Sequence, residues 1–124
     1  MNIMRNILVA DDSAAMRQII VRSLWAIGFA DVLEARDGDE AVSVVEQGAG
    51  AVEIVLLDWN MPGKDCAETV KELLALDDTI RIILITTQAD AQRVRVAFSD
   101  GVADYITKPF TAERLRETLE RLNA

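Results

Sequence analysis

Four places along the chain carry side chains suited to handling a phosphoryl group: the acids Asp11-Asp12, a third acid at Asp58, the hydroxyls Thr86-Thr87, and the amine of Lys108. A carboxylate can act as a nucleophile toward phosphorus, while a hydroxyl and an ammonium group can hold phosphate oxygens. Two acids about 4 Å apart repel by about 4 kcal/mol at an effective dielectric of about 20, so three gathered at one place call for a cation. Oxygen-only donors suit Mg2+, which keeps several waters and works with phosphate, whereas zinc would want His or Cys. The set therefore reads as a phosphoryl-transfer site with Asp58 as acceptor. Taken singly, each member has a structural explanation. Asp58 can cap the helix that follows its loop, Asp11-Asp12 suit the positive end of a helix dipole, Thr86 can end a strand, and Lys108 can be a solvated charge. The sharper reading requires a fold that brings all four to one edge.

The apolar run Val55-Leu56-Leu57 reads as a strand buried on both faces, ending on Asp58 before a turn that Pro62-Gly63 enforces. Around it the chain alternates. After a short lead-in at residues 1–5, where Met4 offers a second start, a strand at 6–10 stops at Asp11-Asp12. Ser13 caps a helix with Met16, Ile19, Ile20, Leu24 and Ile27 on one face, closed by Gly28. A short strand at 32–35 precedes a helix opened by Asp37-Gly38-Asp39, with Ala41, Val44 and Val45 inward and Gly48 and Gly50 at its end. The central strand is expected at about 53–57 and is followed by a helix at about 65–76, with Val70, Leu73 and Leu74 inward, ended by Asp77-Asp78. A strand at 80–85 stops at Thr86-Thr87, and a helix at about 90–100 sets Val94, Ala97 and Phe98 on one side before Gly101. The last strand, 103–107, leads to Lys108-Pro109-Phe110, and Thr111 caps a final helix with Leu115, Leu119 and Leu122 as its buried stripe. Five strands alternating with five helices predict an α/β fold: a doubly wound parallel sheet with helices on both faces. Right-handed crossovers then place every strand's carboxyl end at one edge, where such sheets bind ligands.

Composition narrows the chemistry. The 124 residues are expected to form one domain, 1–124, with no output domain. A net charge of −8 argues against nucleic acid as a partner, and no apolar run approaches the roughly 20 residues of a membrane helix. The single cysteine, Cys66, excludes an internal disulfide, and with no signal peptide the expected compartment is the cytoplasm. There are no histidines, which removes Ser-His-Asp hydrolysis and His-based metal catalysis. Any phosphohistidine must belong to another protein.

With Asp11-Asp12 after the first strand, Asp58-Trp59-Asn60-Met61-Pro62 after the third, Thr86 after the fourth, and Tyr105 with Lys108-Pro109-Phe110 around the fifth, the chain resembles the receiver domain of two-component response regulators along its whole length. Within that family it is most similar to the CheY-like single-domain type. The resemblance implies a flavodoxin-like (βα)5 fold with strand order 2-1-3-4-5. It implies that a sensor histidine kinase phosphorylates Asp58, that Asp12 and Asp58 bind Mg2+ directly with the backbone carbonyl of Asn60, and that Asp11 acts through water. It further implies that Lys108 pairs first with Asp58 and then with the phosphoryl group, while Thr86 moves toward that group and Tyr105 swings into the space vacated. The Lys108-Pro109 bond is expected to be cis. Asn60 and Gln88 stand where the family tunes the lifetime of the phosphoryl group. The readout surface is then the helix near 90–100, the fifth strand and the last helix. A downstream target protein docks there, a phosphatase is a further partner, and the chain is expected to be a monomer that can dimerise on phosphorylation.

Some residues depart from the family pattern. Cys66 replaces a usual glycine, Thr87 a usual alanine or glycine, and Phe98, Arg93 and Arg95 give the output helix its own character, which leaves a flagellar-motor target open. Two outputs fit: a chemotaxis-type signal, and a phosphorelay step that passes the group to a histidine phosphotransfer protein. A receiver fragment of a longer regulator would read the same way. The chain is expected to promote only its own phosphoryl transfer and dephosphorylation, not to be an enzyme. A haloacid dehalogenase-like phosphatase also uses an aspartate and Mg2+, but it needs a second acid where Asn60 stands.

Overall fold

In the computed structural model, which describes residues 6–48, 52–61, 63, 65–87 and 91–123, the apolar run becomes β3, Val52–Asp58, the middle strand of five. The elements follow as β1 (Asn6–Ala10), α1 (Ala14–Ile27), β2 (Val32–Ala35), α2 (Gly38–Gly48), β3, α3 (Cys66–Leu76), β4 (Arg81–Thr86), α4 (Ala91–Ser99), β5 (Asp104–Thr107) and α5 (Ala112–Asn123). All neighbouring strands are parallel, in the order β2-β1-β3-β4-β5, as the resemblance implied. Bounds differ from the expected ones by a residue or two, and β3 takes in Asp58 itself. The expected lead-in, Pro62, Gly50, Gln88 and the first residue of the 90–100 helix lie outside the described residues. Among the described residues no helix is long and apolar enough to cross a membrane.

Burial on both faces explains why β3 and β4 read as unbroken apolar runs. Alternate residues feed two separate cores. Val55, Leu57, Ile82 and Leu84 meet α2, α3 and α4 through Ala41, Val45, Val70, Leu73 and Ala97. Ile54, Leu56, Ile83 and Ile85 meet α1 and α5 through Ile20, Val21, Leu24, Leu115 and Leu119. Each such leucine or isoleucine, fully withdrawn from water, contributes roughly 1.5–3 kcal/mol, so the sheet is a stiff platform for whatever its ends carry.

Caps fix where the helices begin. The Ser13 hydroxyl accepts from the Met16 amide at 3.2 Å, the Asp37 carboxylate from the Glu40 amide at 2.8 Å, and the Thr111 hydroxyl from the Arg114 amide at 3.0 Å. Gly101 ends the turn after α4 at φ 105°, and a Cβ there would lie 2.7 Å from Leu74 Cδ1, so glycine alone fits without a shift.

Two inward assignments fail. Ile19 is 54% exposed, and Val21 is buried in its place. With about 100° of rotation per residue, the true stripe centres on Ile20, Leu24 and Ile27, because α1 packs against both the sheet and α5. Phe98 is 43% exposed; it leaves the core to Ala97 and stands edge-on to Tyr105, ring centroids 6.3 Å apart at 78°.

Candidate functional site

Register brings the acids together. Ala10 pairs with Leu57 across β1 and β3, so Asp11 and Asp58 are the next residues on adjacent parallel strands. Carboxylate oxygens of Asp11, Asp12 and Asp58 all lie within 4.8 Å of one another. Asp11 and Asp58 are buried and Asp12 is exposed, which leaves the cluster open to solvent on one side. Three oxygen donors with one open flank fit a hard divalent cation, and a cation there would remove the repulsion among them.

Lys108 arrives from the end of β5. Its amide donates to the Thr86 carbonyl at 2.7 Å, the Lys108-Pro109 bond is cis, and its ammonium lies 3.2 Å from Asp11 Oδ2 and 3.5 Å from Asp58 Oδ1. The ammonium pairs with Asp58, as the resemblance implied, and is shared with Asp11, to which it lies closer. Asp58 Oδ1 already accepts the Asn60 amide at 3.1 Å, so that oxygen is partly satisfied. The Asp58 carboxyl is raised above its ordinary value of 3.8. Burial is the main cause; Asp11 and Asp12 add to it, and the Asn60 amide and Lys108 oppose it.

Thr86, the last residue of β4, is buried at the same edge. By strand parity it shares a face with Leu84, whose partner across the ladder is Tyr105. Tyr105 is half-buried against the core beneath α4. Asn60 Nδ2 donates to Thr87 Oγ1 at 3.5 Å, which links two exposed side chains that follow Asp58 and Thr86 at this edge. Gln88 lies outside the described residues. Trp59, whose amide donates to Ile85 O at 2.9 Å, carries Arg93 of α4 over its ring at 5.7 Å, which joins the strand exit to α4.

Cys66 opens α3 beside a cavity of about 40 Å³ walled by Trp59, Val70, Ala97 and Asp100. Its thiol is pushed up to about 12, chiefly by burial and then by Asp65 and Asp58. It stays protonated at neutral pH, which makes it a packing residue and not a nucleophile.

Sequence reasoning missed Arg17. Its Nη1 donates to the Asp11 carbonyl at 2.7 Å and its Nε to Glu34 Oε1 at 3.1 Å. The signal was a basic residue one turn beyond the cap Ser13, on the helix that leaves the acid pair.

A family model described as a response regulator receiver domain matches residues 7–120. The chain is 41% identical over 116 residues to chemotaxis protein CheY1 of Helicobacter pylori strain J99, covering 92% of this chain and 93% of that one. It is 40% identical to a chemotaxis protein CheY homolog of Campylobacter jejuni, with coverage of 92% and 88%. Among solved structures, Vibrio cholerae CheY4 superposes with a TM-score of 0.87 at 30% identity over 95% of this chain and 98% of that one. The CheX-CheY-BeF3-Mg complex of Borrelia burgdorferi superposes with a TM-score of 0.92 at 25% identity, covering 97% and 90%.

Proposed function

The chain belongs to the response regulator receiver family and is a phosphorylation-activated switch of a two-component system, and from that premise we propose that Asp58 is its phospho-acceptor. The observation that carries this reading is the meeting of Asp11, Asp12 and Asp58 within 4.8 Å beneath the shared ammonium of Lys108. The donor is a sensor histidine kinase, as membership of the receiver family implies, and the phosphohistidine is the kinase's because this chain has no histidine. An Asp58 oxygen attacks phosphorus, the N–P bond of the phosphohistidine breaks, and its electron pair returns to the imidazole. Asp11, Asp12, Asp58 and the Asn60 backbone carbonyl would hold Mg2+, which supplies charge neutralisation on the transferring group when bound. Lys108 compensates the added charge of near −2. Asn60 and Thr87 restrict the approach of water, and of any phosphatase, to the acyl phosphate. The chain promotes this transfer and the later hydrolysis of the acyl phosphate, in which water takes the phosphoryl group as inorganic phosphate and the Asp58 carboxylate is restored.

The output follows from Thr86. Its hydroxyl turns toward the phosphoryl group, space opens on the face it shares with Tyr105, and the α4–β5–α5 surface changes for a target protein. The chemotaxis proteins among the relatives support a chemotaxis-type target over a phosphorelay step, with the cytoplasm as the place of action. Thr86→Ala should lower Asp58 labelling by a small phosphodonor by no more than about tenfold, because one hydrogen bond is worth about 1 kcal/mol. It should, however, abolish the ring-proton NMR shift that phosphorylation produces in Tyr105, the only tyrosine. A full Tyr105 shift in Thr86→Ala would overturn the coupling.

A further inference from the structure

We propose that Arg17, clamped by Glu34, is a positioning residue for the acid pair: it fixes the peptide carbonyl of Asp11 and thereby sets where Asp11 and Asp12 present their oxygens to the cation. The inference rests on the reading of this cluster as the cation and phosphorylation site. It concerns a side chain that touches neither cation nor phosphoryl group.

The need for such a residue arises from the strand end. The β1–β2 ladder closes at Ala10 with Ala35, and one further bond, from the Asp11 amide to the Ala35 carbonyl at 3.1 Å, holds the residue that follows. Beyond it the chain must turn into α1, which begins only at Ala14. On its other side, Asp11 uses Oδ1 to accept the Ser13 amide at 2.8 Å and Oδ2 to meet Lys108 at 3.2 Å. Its carbonyl lies outside both the ladder and the helix, and the donor that reaches it is Arg17 Nη1 at 2.7 Å. The peptide plane so fixed lies between Asp11 and Asp12. Rotating it would move both carboxylates relative to Asp58.

The fork of the guanidinium is what makes the contact rigid. One arm holds the Asp11 carbonyl, and Nε holds Glu34 Oε1 at 3.1 Å; the Arg17 side chain is 14% exposed and that of Glu34 48%. Glu34 comes from the edge strand β2, paired with Val9, one residue before the ladder closes. Arg17 therefore ties α1, the β1 exit and β2 together at the point where the acids emerge. A lysine would keep the charge but not the two-armed geometry. Groups that orient a metal's ligands typically change its affinity by 10- to 100-fold when lost.

The test is Mg2+ affinity, read from the change in tryptophan fluorescence of the full chain, with Trp59 beside Asp58 as the responding ring and exposed Trp25 as background, alongside the urea midpoint and labelling by a small phosphodonor. Arg17→Lys should weaken Mg2+ binding about tenfold with little change in the urea midpoint. Labelling should fall at sub-saturating Mg2+ and recover at saturation. Glu34→Gln, which keeps an acceptor for Nε, should stay within about threefold of wild type. An Arg17→Lys protein with wild-type Mg2+ affinity overturns the proposal, as does one whose only defect is a lower urea midpoint. Failure of the wild type itself to bind Mg2+ would instead sink the functional reading on which the proposal rests.

Discussion

Asp58→Asn is expected to lose all acid-labile, Mg2+-dependent phosphorylation and, without metal, to be more stable than the wild type. The first effect follows because an amide oxygen is a far weaker nucleophile than a carboxylate. The second follows from the direction of the Asp58 shift. Burial and two neighbouring acids raise its carboxyl in the folded protein above the ordinary 3.8. A group raised in this way contributes stability that is fully present below the ordinary value and lost as pH rises through the folded value. At neutral pH the ionised carboxylate is therefore a cost, and its removal relieves repulsion that Lys108 only partly offsets. The gain should be about 1 kcal/mol, or roughly 4 °C in the thermal midpoint, and it should reverse when Mg2+ is added to both proteins. Calorimetry in chelator and in Mg2+, with labelling beside it, checks these outcomes. An Asp58→Asn protein that labels like the wild type means that the acceptor is elsewhere.

Lys108→Ala should act in the opposite sense. With the ammonium at 3.2 and 3.5 Å from two buried carboxylates, its loss leaves both without their cation. Removing one partner from a buried pair typically costs 3–5 kcal/mol, so the metal-free variant should lose about 3 kcal/mol of stability. Mg2+ supplies charge to the same oxygens and should restore more stability to the variant than it adds to the wild type, whose gain at a hundredfold excess over Kd is about 2.7 kcal/mol. Labelling should stay low even in saturating Mg2+, because the phosphoryl group keeps its need for Lys108. Urea unfolding with and without metal separates the two effects. Equal stability of variant and wild type in chelator would show that the lysine does not compensate the acids.

How far the molecule could be read from its residues depended on range. The run Val55-Leu56-Leu57 ending on Asp58 announced a buried strand with a reactive end, and strand parity then carried Asp11 to its side. Caps at Ser13 and Thr111 were legible because they act within three residues. Ile19 and Phe98 were misplaced because periodicity gives the spacing of an apolar stripe and not its centre, which depends on the neighbour a helix meets: α5 for α1, and Tyr105 for α4. The sharing of Lys108 and the Arg17 clamp were invisible for a related reason. Both depend on contacts between elements far apart in the chain, 97 residues for Lys108 with Asp11 and 17 for Arg17 with Glu34.

The sheltered sulfur of Cys66 makes the protein its own clock for motion between α3 and α4. Protonated and lining the small cavity beside Trp59 and Ala97, it is largely sheltered from an alkylating reagent while those helices stay together. Since no other cysteine competes, the rate of iodoacetamide incorporation follows the population in which they part, with no engineered label. Compared with and without a phosphoryl mimic, it tells whether activation loosens or seals the seam.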